Sequence, residues 1–567
     1  MKETGQRAYA ASSGRRMALT ALLVTFGAGC AQEEQAPAPV VEDEPEVREQ
    51  AICEQLDFDN VADAALCERV QGQGLEPRFA TSAAICRRLS IDLRGRTPSW
   101  SEVQAHCLGK TPAQMVDYFM DQPAYIDLAQ RRWADHFEYN DFFTHYRHIE
   151  KLDALVGQLY QGDIDYESFG IEAVSGPAWS GRFFGESRVA KAFQVFLGRD
   201  AHRVEREDMV GLWMMWIPLQ EFDTDYYFEY LETRVYPVFC QAPLDELLCH
   251  SGLYGDHTVT LPLRNPANQN DFVNFIRAED LTEEEWEVLR TPGYVITSLP
   301  FYREHAVVEA MNRLLGWEAS RALPEVRSAL LDFFEGEGQL SVRALEREIL
   351  TSSLYLQRTE APEGEVDEAT GQAAPWRFSR VKLMEVEPWL DSIMQTVQRD
   401  FGRCDHRFPY VRGGFNPTLN RETFAPHAYP IGNVETGEPD MTYTAVARAL
   451  GGCPDRLEAY RFTGTGVIHA LDQEAVLQFL CNLPESTGIV PGGAFGEDFN
   501  SDGSEASRRA LYTHQVRAFY SREPDEDEID EFIALTQPCL DAGQCDPRTI
   551  PAQLCTTLVA GAEFLHY

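Results

Sequence analysis

The sequence predicts a mainly α-helical fold of many helices, stapled by disulfide bonds, with long irregular loops and at most a few short strands. Two kinds of observation support this prediction. Helix-capping signals stand before apolar residues at helical spacing, and an even number of cysteines follows an export signal. Alternation typical of a strand is rare, as in HTVTLPL at 257–263.

The clearest helix signals lie between residues 99 and 137. Ser99 and Glu102 have the spacing of a capping box, and Thr111, Pro112 and Gln114 repeat the pattern with a first-turn proline. The apolar residues at helical spacing behind these caps are Met115, Val116, Phe119, Met120, Leu128, Trp133 and Phe137. The pattern predicts short helices that each bury one face.

A family resemblance rests on the segments RLSIDLRGRTPSWSEV, MVDYFMDQPAY and RRWADHF. They resemble the N-terminal member of a pair of planctomycete cytochrome-associated domains of unknown function. The matching residues are Arg88, Leu89, Asp92, Leu93, Gly95, Val103, Trp133, Ala134 and His136, with Phe137 in place of a final Trp. The C-terminal companion domain is resembled at Asn312, Arg313, Thr351, Ser352 and Tyr355.

The resemblance implies a haem segment that this chain does not keep. In the family, a Phe-Leu-Gly like that at 196–198 leads into a Cys-x-x-Cys-His haem attachment, but no Cys lies between Cys107 and Cys240. This chain is therefore expected to carry no covalent haem. His202 is either a remnant ligand or a loop or cap histidine. Residues 189–216 are either a degraded haem segment or one unit of an internal repeat, because FLGRDAHRVEREDM resembles FYSREPDEDEIDEF at 519–532.

The N-terminus predicts export and lipidation. A basic segment, an apolar run from Met17 to Phe26 and small residues before Cys30 fit a lipoprotein signal peptide over 1–30, and the alternative is an ordinary signal peptide cut nearby. Ala31 rather than Asp favours the outer membrane, with the protein facing the periplasm or the cell surface. Residues 31–50 are acidic and Pro/Ala-rich and predict a tether. Helical domains are expected at 51–235, 236–376 (with a linker at its end) and 377–567.

The cysteines support an oxidising compartment. Setting Cys30 aside leaves twelve, which allows up to six disulfides. The near-neighbour candidates are Cys53 with Cys67, Cys86 with Cys107, Cys240 with Cys249, and Cys539 with Cys545. Cys404, Cys453, Cys481 and Cys555 remain without an assigned partner. A cysteine metal site is disfavoured because the chain contains no Cys-x-x-Cys.

Charge excludes two classes of partner. The formal net charge is −41, which argues against nucleic acid and against anionic lipid surfaces. Membrane contact is therefore expected through the N-terminal lipid, and the remaining partner is an envelope protein or a polymer.

Two sets of residues suggest metal binding. Asp498, Asn500, Asp502 and Ser504 follow the first half of a calcium-binding loop, but Arg509 stands where an EF-hand needs Glu. The alternatives are a structural calcium loop and a polar turn. Glu138, Asp141, His145 and His148 would share one helix face if the preceding helix continued past Phe137, giving either a transition-metal site or a solvated face.

Three functions follow from these patterns. The favoured one is a non-catalytic scaffold or binding protein for a partner protein or extracellular polymer. The others are a metal-dependent hydrolase acting on such a polymer and a redox-associated protein that has lost its haem. No Gly-x-Ser-x-Gly, His-Glu-x-x-His or phosphate-loop motif occurs, so the catalytic residues stay unknown. Asp405 and His406 are read as residues of a disulfide loop.

Overall fold

A computed structural model describes most of the chain between residues 59 and 567. The described residues are 59–70, 79–140, 144, 146–213, 216–218, 225–228, 238–241, 248–251, 275–277, 283–316, 318–359, 381–397, 404–407, 430–431, 441–454, 456, 460–461, 476–477, 481 and 503–567. The signal segment with Cys30, the tether and the predicted strand at 257–263 lie outside them.

The described residues are dominated by α-helices, as predicted. The helices of the first half are α1 Val61–Val70, α2 Ser82–Arg94, α3 Trp100–His106, α4 Pro112–Met120, α5 Pro123–His136, α6 Tyr146–Gln161, α7 Tyr166–Ser175, α8 Pro177–Arg182, α9 Glu186–Leu197, α10 Arg203–Met209, α11 Glu283–Leu289 and α12 Thr291–Thr297. Those of the second half are α13 Phe301–Leu315, α14 Ala319–Ala322, α15 Pro324–Glu335, α16 Val342–Thr351, α17 Ser353–Leu356, α18 Val386–Val397, α19 Tyr443–Ala449, α20 Glu505–Tyr520, α21 Glu526–Asp541, α22 Ile550–Ala560 and α23 Ala562–Leu565.

The strands are short and antiparallel. They are β1 Trp216–Pro218, β2 Asp225–Phe228, β3 Val238–Gln241, β4 Leu248–Ser251, β5 Phe275–Arg277, β6 Pro430–Ile431 and β7 Met441–Thr442. They form one sheet in the order β1-β2-β5 and two pairs, β3-β4 and β6-β7. The prediction of a mainly α fold with a few short strands is confirmed.

The predicted caps form as expected. Ser99 and Glu102 make a complete capping box at α3, and Thr111 and Gln114 make one at α4. Their side chains satisfy backbone N–H groups that the first turn of a helix leaves without a partner. Pro123 is the first residue of α5. Proline has no backbone N–H, and at this position an N–H would have no partner within the helix.

Two hydrophobic cores lie within residues 51–567, which form one compact unit. The first core collects buried side chains from Ala62 to Leu356 and contains an aromatic cluster around Trp133, whose ring meets that of Phe169 edge-on at 4.7 Å. This core draws on both sides of the predicted 235/236 boundary, and the domain boundaries themselves stay predictions. The second core uses residues between Met384 and Phe564 and also takes in Ile91 of α2.

Helix α2 therefore contributes to both cores. Its Cys86, Leu89 and Leu93 belong to the first core and Ile91 to the second. Arg87 donates to the carbonyl oxygens of Phe519 (2.7 Å) and Phe564 (3.0 Å), which lie at the ends of α20 and α23. The best-specified segment of the sequence is thus a structural junction.

Disulfides staple the fold. Cys86 bonds to Cys107 and Cys539 to Cys545, as predicted, and the unassigned cysteines pair as Cys404–Cys453 and Cys481–Cys555. Cys67 is also disulfide-bonded. Cys53 lies outside the described residues. The β3–β4 register sets Cys240 directly opposite Cys249.

In the described part of the chain, no helix combines the length and the apolarity needed to cross a membrane.

Candidate functional site: an arginine-lined cavity

A polar cavity lies where α5 meets the C-terminal third of the chain. Its volume is about 50 Å³. The charged or titratable residues of its wall include Arg131, Glu387, His406, Arg448, Arg456 and Arg461. Arg131 comes from α5, Glu387 from α18 and Arg448 from α19, while His406, Arg456 and Arg461 come from short segments between the helices.

Asp135, near the end of α5, holds two of these arginines. Its Oδ1 accepts hydrogen bonds from Arg456 Nη2 at 2.7 Å and Nε at 2.9 Å, and its Oδ2 accepts one from Arg461 Nε at 2.8 Å. Burial opposes the charge of Asp135, but the two guanidinium groups outweigh it and hold its pKa below the usual range. Asp135 is therefore a charged anchor for the cavity wall at neutral pH.

Glu387 also anchors Arg461, and it binds a backbone N–H as well. Its Oε1 accepts from the Cys453 backbone N–H at 2.8 Å, and its Oε2 accepts from Arg461 Nη1 at 2.6 Å. Burial would raise the pKa of Glu387, yet Arg461 and the Cys453 N–H together lower it. The Arg131 guanidinium likewise pairs with Asp391 at 3.3 Å.

The Cys404–Cys453 disulfide forms part of the wall beside Glu387. The carboxylate and the two sulfurs lie close enough together for a metal ion. A cysteine binds zinc only as its thiolate, however, and these sulfurs are bonded to each other, while Glu387 is already bound by Arg461. Four arginines line the cavity against the two carboxylates of Glu387 and Asp405, so its charge favours an anion over a cation.

His406 is held by a carboxylate from α6. Its Nε2 lies 2.9 Å from Asp153 Oδ1, and the Asp153 side chain is 6% exposed. Arg456 Nη1 donates to the carbonyl oxygens of His406 at 3.1 Å and Tyr139 at 3.2 Å, which ties the backbone of His406 to that of Tyr139. The result is a His–Asp dyad at the cavity.

Polar atoms of His406 and Arg461 remain available for a ligand. Neither His406 Nδ1 nor Arg461 Nη2 has a hydrogen-bond partner among the described residues, and neither belongs to their fully buried unpartnered atoms. An imidazole nitrogen and a guanidinium N–H are thus both accessible. Asp135 and Glu387 are engaged by Arg456, Arg461 and the Cys453 backbone N–H.

The predicted metal face on α5 does not form as proposed. The helix ends at His136 and Glu138 has a positive φ of 50°, so the condition that the helix continue past Phe137 is not met. The Glu138 carboxylate binds Arg182 at 2.8 Å and Lys191 at 2.7 Å. His148 is buried in α6, and Asp141 and His145 lie outside the described residues.

The predicted calcium loop falls mostly outside the described residues, which include neither Asp498, Asn500 nor Asp502. Ser504 is described, and its hydroxyl caps α20 by accepting from the Ser507 N–H at 3.2 Å. Arg509, which replaces the EF-hand glutamate, pairs with Glu505 at 2.9 Å. Calcium stays a prediction.

The family-like residues have structural roles in the described fold. Asp92 is buried and hydrogen-bonded, and Trp133 lies in the first core. Gly198 ends α9 in the left-handed conformation, and His202 caps α10 by accepting from the Val204 N–H at 3.4 Å. Of the two readings of His202, the structure shows the cap histidine.

Sequence reasoning missed the arginine-lined cavity. Asp405 and His406 were correctly placed in a disulfide loop, but nothing in the sequence connects His406 to Asp153 or Asp135 to Arg461. These residues are separated by 253 and 326 positions. Only the packing of α5 and α6 against the C-terminal third brings them together.

The comparisons with known proteins bear on the N-terminal helices alone. No curated protein and no solved structure matches the chain. The likeness of Asn312 and Tyr355 to a companion domain stays a prediction. Residues 62–210 match the model of PSCyt2, a protein of unknown function (DUF1549), which confirms the resemblance inferred from Arg88, Asp92 and Trp133 for that part of the chain.

Proposed function

We propose that this protein is an exported, lipid-anchored cell-envelope protein that binds a partner protein or an extracellular polymer through an acidic group of that ligand. The observation that carries the proposal is the arginine-lined cavity with an accessible N–H on Arg461. Guanidinium groups match the geometry of carboxylates and bind them through charge-assisted hydrogen bonds. An acidic polysaccharide is the ligand class that this chemistry fits best.

The cavity is suited to binding because its carboxylates already hold the arginines of its wall in place. Asp135, Glu387 and Asp391 each pair with an arginine, and arginine keeps its proton at any physiological pH. Such a network holds the cavity wall in one geometry, which lowers the entropy cost of binding a ligand.

The overall charge limits how the ligand approaches. A net charge of −41 repels an acidic polymer at long range, while the arginines attract one carboxylate at close range. Long-range repulsion between exposed charges is screened by salt more strongly than a contact inside a cavity. Moderate salt is therefore expected to leave binding intact or to strengthen it.

The N-terminal features complete the proposal. A signal peptide ending at Cys30 and an acidic tether would anchor the folded unit to the outer membrane, and the disulfides suit an oxidising compartment. Labelled fatty acid should be incorporated into the wild-type protein and not into Cys30→Ser. Equal labelling of the two proteins would contradict the lipid anchor.

Ligand binding is tested with the full chain carrying Cys30→Ser and exported so that its disulfides form. Isothermal titration with polygalacturonate should show binding, whereas neutral dextran should show none. Arg461→Gln should weaken the affinity about tenfold or more, because a charge-assisted hydrogen bond is lost. The matched control is Arg509→Gln, which removes an exposed, ion-paired arginine far from the cavity residues in sequence.

Equal affinity for both polymers would contradict the proposal, as would equal effects of the two arginine substitutions. The metal-dependent hydrolase and the redox protein remain alternatives, but no observation in the described residues favours either. Glu138 is engaged by two cations, and the chain lacks the haem-attachment motif.

A further inference from the structure

We infer that the arginine-lined cavity also hydrolyses carboxylic esters carried by its ligand, with His406 as the general base and water as the nucleophile. The inference rests on the proposed function, because the same cavity must first bind the acidic polymer. Ester substituents on such a polymer, for example O-acetyl groups, are the substrate class.

The His406–Asp153 pair has the arrangement that a general base requires. The Asp153 carboxylate accepts the Nε2–H of His406 at 2.9 Å, which selects the tautomer with a lone pair on Nδ1. Nδ1 has no partner in the described part of the chain and is accessible, while the ring as a whole is 14% exposed. A base must be anchored at one nitrogen and open at the other, and His406 meets both conditions.

The charged groups around His406 come from several elements. Asp153 lies on α6, Asp405 and Arg407 pair with each other beside it, and Arg456 donates to its backbone carbonyl. Tyr139 stacks on the ring with centroids 6.4 Å apart. The charges of these neighbours therefore contribute to the pH dependence of any reaction in which His406 is the base.

Arg461 supplies the second requirement of ester hydrolysis. Arg461 also lines the cavity, its Nη2 has no partner in the described part of the chain, and its other nitrogens are fixed by Asp135 and Glu387. A fixed cationic N–H is suited to the oxygen that becomes negatively charged in the tetrahedral intermediate. Asp135 and Glu387 act here as positioning residues for Arg461.

The reaction balances with water as the only co-reactant. His406 Nδ1 takes one proton from water as the water oxygen bonds to the acyl carbon, and the carbonyl oxygen gains the negative charge. The intermediate then expels the alkoxide of the polymer, which takes the proton from the His406 imidazolium. The products are the free acid and the polymer hydroxyl, and the dyad returns to its starting state.

The test measures acetate released from O-acetylated polygalacturonate by the full chain carrying Cys30→Ser. His406→Gln should lower kcat/KM by roughly 100-fold with the loss mainly in kcat, whereas Arg461→Gln should weaken the titrated binding of unacetylated polygalacturonate as well. Asp153→Asn should lower kcat more than it raises KM and should move the pH profile, because the asparagine no longer stabilises the imidazolium. His514→Gln, on α20 and outside the cavity, is the matched control.

The outcomes separate this inference from the proposed function. Release that disappears with His406→Gln but not with His514→Gln supports the inference. Binding of polygalacturonate without acetate release, or release that is equal in both variants, overturns the inference and leaves the binding proposal standing. Absence of both binding and release overturns both. Circular dichroism of each variant identifies any loss that comes from unfolding.

Discussion

Asp92 shows how one residue of the family-like motif works in this fold. It is 2% exposed and accepts hydrogen bonds from Tyr355 Oη at 2.8 Å and Tyr567 Oη at 3.0 Å, and it also pairs with Lys382. Burial is the main cause that lowers the pKa of Lys382 to about 8, against the opposing charge of Asp92. The carboxylate is therefore what makes a buried ammonium tolerable.

Asp92→Ala is expected to lower the free energy of unfolding by about 3–5 kcal/mol, because it leaves the Lys382 charge buried and unpaired. The measurement is urea unfolding followed by tryptophan fluorescence. Asp163→Ala, at an exposed turn position, is the control and should change the value by less than about 0.5 kcal/mol. Similar losses in the two variants would show that Asp92 is not an anchor.

Gly198 and Gly109 form a matched pair at positive φ, +63° and +73°. A Cβ at Gly198 would lie 2.3 Å from His305 Nδ1, whereas a Cβ at Gly109 would meet nothing within 4 Å. Both alanine variants pay about 1 kcal/mol for the left-handed backbone. Gly198→Ala is expected to cost about 1–3 kcal/mol more because the imidazole must move. Equal unfolding free energies for the two variants would contradict this close approach.

At the scale of the element, the capping box of α3 contains an ion pair whose contribution to stability is lost in acid. Arg94 donates to both Glu102 oxygens, at 2.6 and 2.9 Å, and the Ser99 N–H donates at 2.9 Å. Burial by itself would raise the pKa of Glu102, but Arg94 and Ser99 hold it at about 2. Because this pKa lies below the unfolded value, its stabilising contribution is full above about pH 4.5 and is lost as the pH falls toward 2.

Glu102→Gln is expected to lower the free energy of unfolding by about 1–2 kcal/mol at pH 6 and by almost nothing near pH 2, after allowance for the partly exposed carboxylate. Urea unfolding at several pH values measures this. The box of α4 provides the control, because its reciprocal residue is the neutral Gln114 and Gln114→Ala should cost the same at every pH. A pH-independent effect of Glu102→Gln would contradict the assigned ion pair.

At the scale of the whole molecule, α2 joins the two cores. Arg87 is 6% exposed, and its guanidinium donates to the carbonyl oxygens of Phe519, Glu563 and Phe564. Burial is the main cause that lowers the pKa of Arg87 to about 10, with Glu563 opposing it. The three acceptors belong to segments more than 430 residues away along the chain.

Arg87→Met is expected to lower the free energy of unfolding by about 2–4 kcal/mol, because buried carbonyl groups lose their donor. Hydrogen exchange followed by mass spectrometry should show the loss in both α2 and α23. Arg517→Met, which removes an exposed pair with Glu523, is the control and should cost less than about 1 kcal/mol. Protection lost only in α2 would contradict the junction.

The helical fold class, the caps at Ser99 and Thr111 and two of the disulfides were determined by local sequence. Each depends on residues near each other in the chain: the two residues of a capping box are three positions apart, and the two disulfides join cysteines 6 and 21 positions apart. The metal face proposed at Glu138 required the helix period to continue past Phe137, where no local signal marked the end. There the backbone takes a positive φ and the carboxylate meets Arg182 and Lys191.

Only the tertiary structure decided the candidate site. Asp135, Asp153, Glu387, His406 and Arg461 follow no spacing in the chain, because each sits on a different element or turn and their pairing depends on how α5, α6 and α18 pack. Sequence patterns report contacts within a few residues, where geometry is set by helix or turn dihedrals. Pairs of charges that lie hundreds of residues apart in the chain form only when the hydrophobic cores pack. That packing brings His406, in a disulfide loop, against Asp153 of α6.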